Sequence, residues 1–123
     1  MTTTSSRLCA ATFVNDNFKL LILSVYMPID DNSNSSALEY GFILNEIYGL
    51  LEIYNDFTLI IGGDFNTDFQ RQTFNLDLLN NFITVESLIC TSLIYDIDFT
   101  FESVTGARST IDHFVFNKNS FND

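Results

Sequence analysis

A chain of 123 residues is long enough for one domain and too short for several. Its content of 46% hydrophobic and 15% aromatic residues predicts a packed core and excludes a disordered chain. The 16 acidic and 5 basic residues give a net charge of −11, which disfavours broad electrostatic binding of nucleic acid. Any phosphate-handling role must therefore use bound cations or the few arginines.

Neither a membrane span nor a secretory signal is predicted. No apolar run approaches the roughly 20 residues that cross a bilayer, and the N-terminal residues have no apolar core. We therefore expect an intracellular protein, in the nucleus or the cytoplasm, without membrane association. Cys9 and Cys90 are too few for a disulfide framework, and we interpret both as reduced thiols in the core.

The chain begins with two predicted strands. Residues 7–14 and 18–27 are apolar runs, and the turn residues Asn15-Asp16-Asn17 separate them. This pattern predicts a β-hairpin. Pro28 should end the second strand, because proline cannot donate a hydrogen bond to a neighbouring strand.

A helix and a third strand should follow. Apolar residues recur every three or four positions from Leu38 to Tyr54, which indicates one face of a helix. Ser36 and Glu39 match a capping box at its start. Residues 57–61 read as a buried strand, and the order strand, helix, strand predicts an α/β layered domain.

The second half of the chain has weaker patterns. Residues 73–82 predict a second helix, and residues 84–95 are apolar but ambiguous. Residues 98–103 and 109–116 predict two strands joined by a turn at Gly106.

The stretch Gly62-Gly63-Asp64-Phe65-Asn66 carries the clearest chemical signal. Two glycines after a buried strand allow the backbone to turn and the next side chains to project from the sheet edge, where α/β proteins place their sites. A carboxylate and an amide there suit a metal ion and a phosphate oxygen. Asp64, Asn66 and Asp68 also match the first ligand positions of an EF-hand loop, but the glycine and the glutamate that such a loop needs are absent. A plain turn is the remaining alternative for these residue types.

Three motifs, in the same order along the chain, resemble those of the endonuclease/exonuclease/phosphatase superfamily. Their residues are most similar to those of its non-LTR retrotransposon endonucleases. The motifs are Ser24-Val-Tyr-Met-Pro28, Ile61-Gly-Gly-Asp-Phe-Asn66, and Phe99-Thr-Phe101 followed by Ser109-Thr-Ile-Asp-His-Phe114. The resemblance spans residues 7–116. It implies part of a four-layered α/β sandwich that hydrolyses phosphodiesters, such as DNA, with Mg²⁺.

The resemblance also implies roles for individual residues. Tyr26 would contact the scissile phosphate, and Asn66 would hold one of its oxygens. Asp64 would orient or activate the attacking water and is a possible metal ligand. Asp112 would orient a catalytic histidine, and Thr100 would support the substrate site.

Some motifs of that superfamily have no counterpart here. Its metal-binding asparagine and glutamate should lie upstream of Arg7, and its catalytic histidine should lie downstream of Asp112. We therefore expect a partial domain that is inactive or impaired as an isolated chain. His113 is not assigned the catalytic role, because on a strand it points away from the face of Asp112.

Three other functions stay open. The chain could be a non-catalytic remnant of the domain, or a phosphatase or sphingomyelinase-like phosphoesterase. The acidic composition favours a small substrate, which needs no long basic track. It could also be an α/β binding module in which the motifs are accidental.

Overall fold

The computed structural model describes residues 6–94 and 99–117. Within these ranges the chain forms a five-stranded mixed sheet, a two-stranded ribbon and helices. The elements are β1 (Leu8–Val14), β2 (Lys19–Tyr26), α1 (Asn34–Ile53), β3 (Thr58–Asp64), α2 (Phe74–Val85), β4 (Ile89–Cys90), α3 (Thr91–Ile94), β5 (Phe101–Glu102), β6 (Arg108–Ser109) and β7 (Asp112–Phe116). No helix in the described ranges has both the length and the apolar character that a bilayer span requires.

The main sheet has the strand order β1-β2-β3-β7-β4. Strands β1 and β2 form the predicted antiparallel hairpin, and β2 pairs in parallel with β3 through the connecting helix α1. Strand β7 runs antiparallel to both β3 and β4. The last residues of β2 and β3 and the first residue of β7 therefore meet at one edge of the sheet.

One face of the sheet is covered by helices α1 and α2. Leu21, Leu23 and Val25 of β2 alternate inward and are buried among residues of both helices. The opposite face is open in the described part of the chain, and Phe13 and Phe114 are 52% and 59% exposed there. The fold is thus the predicted layered arrangement, with one sheet and one helical layer of the expected four.

Helix α1 begins earlier than predicted. Its N-cap is Ser33, whose hydroxyl accepts a hydrogen bond from the Ser36 backbone N–H at 3.1 Å. The capping box at Ser36 and Glu39 is therefore wrong. Asp31 accepts from the Ser33 N–H at 3.0 Å, and this turn brings Ser33 into the extended conformation of a cap. Ser36 is buried one turn into the helix and donates to the Ile29 carbonyl.

The second half of the chain is more broken than predicted. The predicted helix at 73–82 forms as α2 with Thr73 as its N-cap, and the ambiguous stretch after it forms β4 and α3. The predicted strand at 98–103 shortens to β5, and Asp98 lies outside the described residues. The predicted strand at 109–116 splits into β6 and β7, because the Thr110 N–H donates to Asp68 Oδ2 instead of to a neighbouring strand.

The sole histidine is a buried structural residue. His113 lies on the helical face, as predicted, with Nε2 2.7 Å from the Thr67 carbonyl and Nδ1 2.5 Å from Ser92 Oγ. A carbonyl can only accept, so Nε2 carries the proton and Nδ1 accepts from the Ser92 hydroxyl. Burial lowers the pKa of His113, although the Thr67 carbonyl opposes this.

Glycine is required at the end of β3. Gly63 has φ +136°, and a Cβ added there would lie 2.2 Å from the Val25 carbonyl oxygen. The prediction for the cysteines is half right, because Cys90 is buried and Cys9 is exposed.

Replacing Gly63 by alanine should destabilise the fold by about 3 kcal/mol, since the substitution combines backbone strain with a steric clash. Gly49→Ala is the matched control, because nothing lies within 4 Å of its added Cβ in α1. It should stabilise the helix by about 1 kcal/mol. Urea denaturation measures both changes, and equal stability of the two variants would refute the requirement.

His113 should make the fold sensitive to acid. Because its folded pKa is below the ordinary 6.5, the unfolded chain binds the proton more readily. The stability contribution is complete above about pH 6.5 and is lost as the pH falls below that value. In urea denaturation from about pH 7.5 to about pH 5.5, His113→Gln should lose less stability than the unaltered chain. Parallel curves for the two proteins would contradict the assignment.

Candidate active site

Three of the predicted residues form a row across the sheet edge. Tyr26 pairs in register with Asp64, and Asp64 pairs in register with Asp112. Residues in register on neighbouring strands point to the same face, and strands lie about 4.8 Å apart, so the row spans about 10 Å. Val25 and His113 beside them are buried on the helical side, which places the row on the open face.

Asn66 closes the corner that follows β3. Its backbone N–H donates to Asp64 Oδ1 at 2.8 Å, and its φ is +49°. Its side-chain Nδ2 donates to the Met27 carbonyl at 2.7 Å, which fixes the amide against the end of β2. An amide nitrogen has two N–H groups, so Asn66 retains one that could donate to a ligand.

Thr100 supports the start of β7. Its hydroxyl accepts from the backbone N–H groups of Ile111 and Asp112 at 2.9 and 3.1 Å. These bonds hold the backbone from which Asp112 projects. Thr100 is therefore placed to position Asp112, and its predicted contact with substrate stays a prediction.

The two carboxylates of the row affect each other. Burial raises the pKa of Asp64, and the negative charge of Asp112 raises it further, while the Asn66 N–H opposes both. A bound cation would relieve this repulsion. No group of three or more His, Cys, Asp or Glu side chains in residues 6–94 and 99–117 is arranged to hold a metal. Mg²⁺ often uses one or two protein carboxylates plus waters and phosphate oxygens, and Asp64 and Asp112 offer two carboxylates on neighbouring strands.

Helix α1 supports the corner from beneath. The Tyr40 hydroxyl donates to the Phe65 carbonyl at 3.1 Å and lies 3.1 Å from Thr67 Oγ1. All three side chains are buried, and burial raises the pKa of Tyr40, so the phenol stays protonated. Sequence reasoning missed Tyr40 and Thr67. The available signal for Tyr40 was its polar hydroxyl on an otherwise apolar face of the helix.

A cavity of about 320 Å³ adjoins the row. It is lined by Tyr26, Asp64 and Arg7, together with Ser6, Leu8, Cys9, Ser24 and Val25. Arg7 was also missed, because nothing in the sequence links the residue before the first strand to a site formed by later strands.

Solved structures with this fold include nucleases and phosphatases. The endonuclease domain of TRAS1, a telomere-specific non-LTR retrotransposon, matches with a TM-score of 0.73 and 17% identity over 94% of this chain and 52% of that chain. The 3′ phosphatase NExo from Neisseria, bound to a product DNA hairpin, matches with a TM-score of 0.68 and 14% identity over 95% and 54%. An endonuclease/exonuclease/phosphatase family protein from Leptotrichia buccalis matches with a TM-score of 0.57 and 17% identity over 90% and 42%.

These likenesses are of structure and not of sequence. No protein-family model matches the chain, and no curated protein sequence matches it. The chain spans about half the length of the solved structures it resembles. The chain therefore has the fold of the endonuclease/exonuclease/phosphatase superfamily, over about half of the length of these solved chains.

Proposed function

We propose that this edge of the sheet is a phosphodiesterase site of the retrotransposon endonuclease type, acting on DNA or another phosphodiester. The observation that carries the proposal is the row of Tyr26, Asp64 and Asp112 in register on three adjacent strands. Tyr26 and Asp64 are 38 positions apart along the sequence, and Asp64 and Asp112 are 48 positions apart. A local turn alone would not align them in this way. The likeness to the TRAS1 endonuclease domain and to a DNA-bound phosphatase supports the proposal.

The side chains have complementary roles in this proposal. The Tyr26 hydroxyl and the remaining Asn66 amide N–H donate to phosphate oxygens. The Asp64 carboxylate accepts a hydrogen bond from the attacking water and orients it in line with the scissile bond. Asp112, held by Thr100, is the carboxylate that would orient a histidine.

Mg²⁺ is the proposed cofactor, with Asp64 as its proposed protein ligand. When bound it would supply stabilisation of the negative charge that develops on the phosphate. Its binding should strengthen as the pH rises through the raised pKa of Asp64, because only the ionised carboxylate is a ligand.

We infer that activity of this chain by itself is impaired. Its sole histidine, His113, lies on the helical face and cannot be oriented by Asp112 on the opposite face. A missing general base typically lowers a rate by about 100-fold or more. The alternative is a remnant that binds phosphodiesters without cleaving them.

A small phosphate ester is the second candidate substrate. The net charge of −11, with 5 basic residues, disfavours the binding of a long polyanion more than the binding of a single phosphate group. A mannosyl-6-phosphatase from Bacteroides thetaiotaomicron has a similar fold, with a TM-score of 0.51 and 20% identity over 84% of this chain and 39% of that chain. Comparison of a diester with a monoester substrate separates the two candidates.

Asp64→Asn should lower the Mg²⁺-dependent rate at which the unaltered chain hydrolyses bis-p-nitrophenyl phosphate by about 100-fold or more, because the charge that binds metal and water is lost. The stability of the fold should change little, since asparagine keeps the Oδ1 acceptor for the Asn66 N–H. Asp56→Asn, at the opposite end of the sheet, is the control and should retain the rate.

Nicking of supercoiled DNA and hydrolysis of p-nitrophenyl phosphate complete the assay. Faster hydrolysis of the monoester would favour the small-substrate candidate. Where the unaltered chain hydrolyses an ester, an equal rate in Asp64→Asn would refute the proposed site. Phosphodiester binding by the unaltered chain without turnover would favour the remnant.

Asp112→Asn should lower the pKa of Asp64, because it removes a like charge from the neighbouring strand. NMR titration of the Asp64 carboxyl carbon measures this shift directly and does not require an active enzyme. Asp56→Asn again serves as the control. An unchanged titration midpoint in Asp112→Asn would show that the two carboxylates do not share a site.

A further inference from the structure

Arg7, which directly precedes β1, contacts Tyr26 at the end of β2. The Arg7 carbonyl accepts the Tyr26 backbone N–H at 2.9 Å, and Arg7 Nη1 donates to the Tyr26 carbonyl at 3.2 Å. The guanidinium carbon lies 5.5 Å from the centre of the Tyr26 ring, which is a cation–π distance. The side chain of Arg7 is therefore fixed in relation to the residue that is proposed to contact phosphate.

Glu39 fixes the other side of the guanidinium. Arg7 Nε lies 3.0 Å from Glu39 Oε1, and Glu39 belongs to helix α1. The guanidinium thus bridges the helix and the sheet edge. Such pre-organisation lowers the entropy that a long side chain loses when it binds a ligand.

Among the described residues that line the cavity shared with Tyr26 and Asp64, Arg7 is the only basic one. The other bases of the described ranges have different surroundings. Lys19 pairs with Asp56 at the start of β2, Arg108 pairs with Glu102, and Arg71 donates to the Arg108 carbonyl.

We propose that Arg7 is a further substrate-binding residue, which supplies positive charge to the phosphate group contacted by Tyr26. The inference rests on the proposed function. Two carboxylates stand in the row beside Tyr26, and they would repel a phosphate unless a cation offsets them. A guanidinium suits this task because its planar N–H groups match the oxygens of a phosphate.

The competing explanation is that Arg7 only ties β1 to α1. A partly exposed ion pair of this kind contributes little to the stability of the fold. The two explanations differ in their effect on ligand binding and on its salt dependence, and not in their effect on the fold.

Binding of a short fluorescein-labelled DNA duplex, followed by anisotropy in Mg²⁺ at several salt concentrations, tests the proposal. Arg7→Ala should weaken binding about tenfold or more and reduce the slope of log affinity against log salt by about one. Arg7→Lys should recover part of the affinity and the full slope, because it keeps the charge but not the planar fork.

Lys19→Ala is a matched control. Lys19 also combines an ion pair, to Asp56 at 2.8 Å, with a cation–π contact, 5.6 Å from the Phe57 ring centre. Lys19→Ala removes one positive charge at the end of β2 opposite to Tyr26. It should change the affinity for the duplex by no more than about twofold. Thermal melts of each variant separate loss of binding from loss of folding.

The inference is overturned if Arg7→Ala and Lys19→Ala bind alike, or if Arg7→Lys binds no better than Arg7→Ala. The proposed function stands in those cases, provided that Asp64→Asn still abolishes hydrolysis. An unaltered chain that neither binds the duplex nor hydrolyses either ester would refute the proposed function and this inference together.

Discussion

The close backbone contact between Gly63 of β3 and Val25 of β2 is the constraint on which the site depends. Only a residue without a side chain can bring the two strands together here, because an added Cβ would lie 2.2 Å from the Val25 carbonyl oxygen. Val25 and Gly63 are paired in register, and the next pair along the strands is Tyr26 and Asp64. The glycine therefore sets the alignment of the phenol and the carboxylate as well as the path of the chain.

Helix α1 is the second support of the site, although none of its residues lies in the row. Two consecutive residues of the helix contact two different parts of the site. Glu39 holds Arg7 beside Tyr26, and Tyr40 holds the backbone of Phe65 in the corner that carries Asn66. The crossover between β2 and β3 thus does more than connect two parallel strands, because it fixes both ends of the candidate site to one rigid element.

The sequence predicted well what depends on near neighbours along the chain. The hairpin, the crossover helix and the Gly-Gly corner that carries Asp64 were predicted because their signals are periodic or local. Tyr26 and Asp112 were singled out only through the family resemblance of their motifs. The split of residues 109–116 was not predicted, because Asp68 interrupts that strand from 42 residues away. Arg7 was missed for the same reason, since its partner Glu39 is 32 residues distant.

The cap of α1 shows a different kind of error. Both Ser33 and Ser36 are suitable capping residues, and the pattern that includes Glu39 favoured the wrong one. The local turn at Asp31 brings Ser33 into the cap conformation, and Glu39 pairs with Arg7 instead of completing a capping box. A second local signal and a tertiary contact thus both opposed the predicted pattern.

The lateral alignment of Tyr26, Asp64 and Asp112 has a consequence for assembly. Side chains alternate between the two faces of a sheet, so a shift of β2 by one position along β3 would turn the phenol into the helical layer. Val25 would then emerge on the open side beside the carboxylate. Such a mispaired sheet would not place the phenol beside the carboxylate. The strands therefore form the candidate site only when they pair in the correct register.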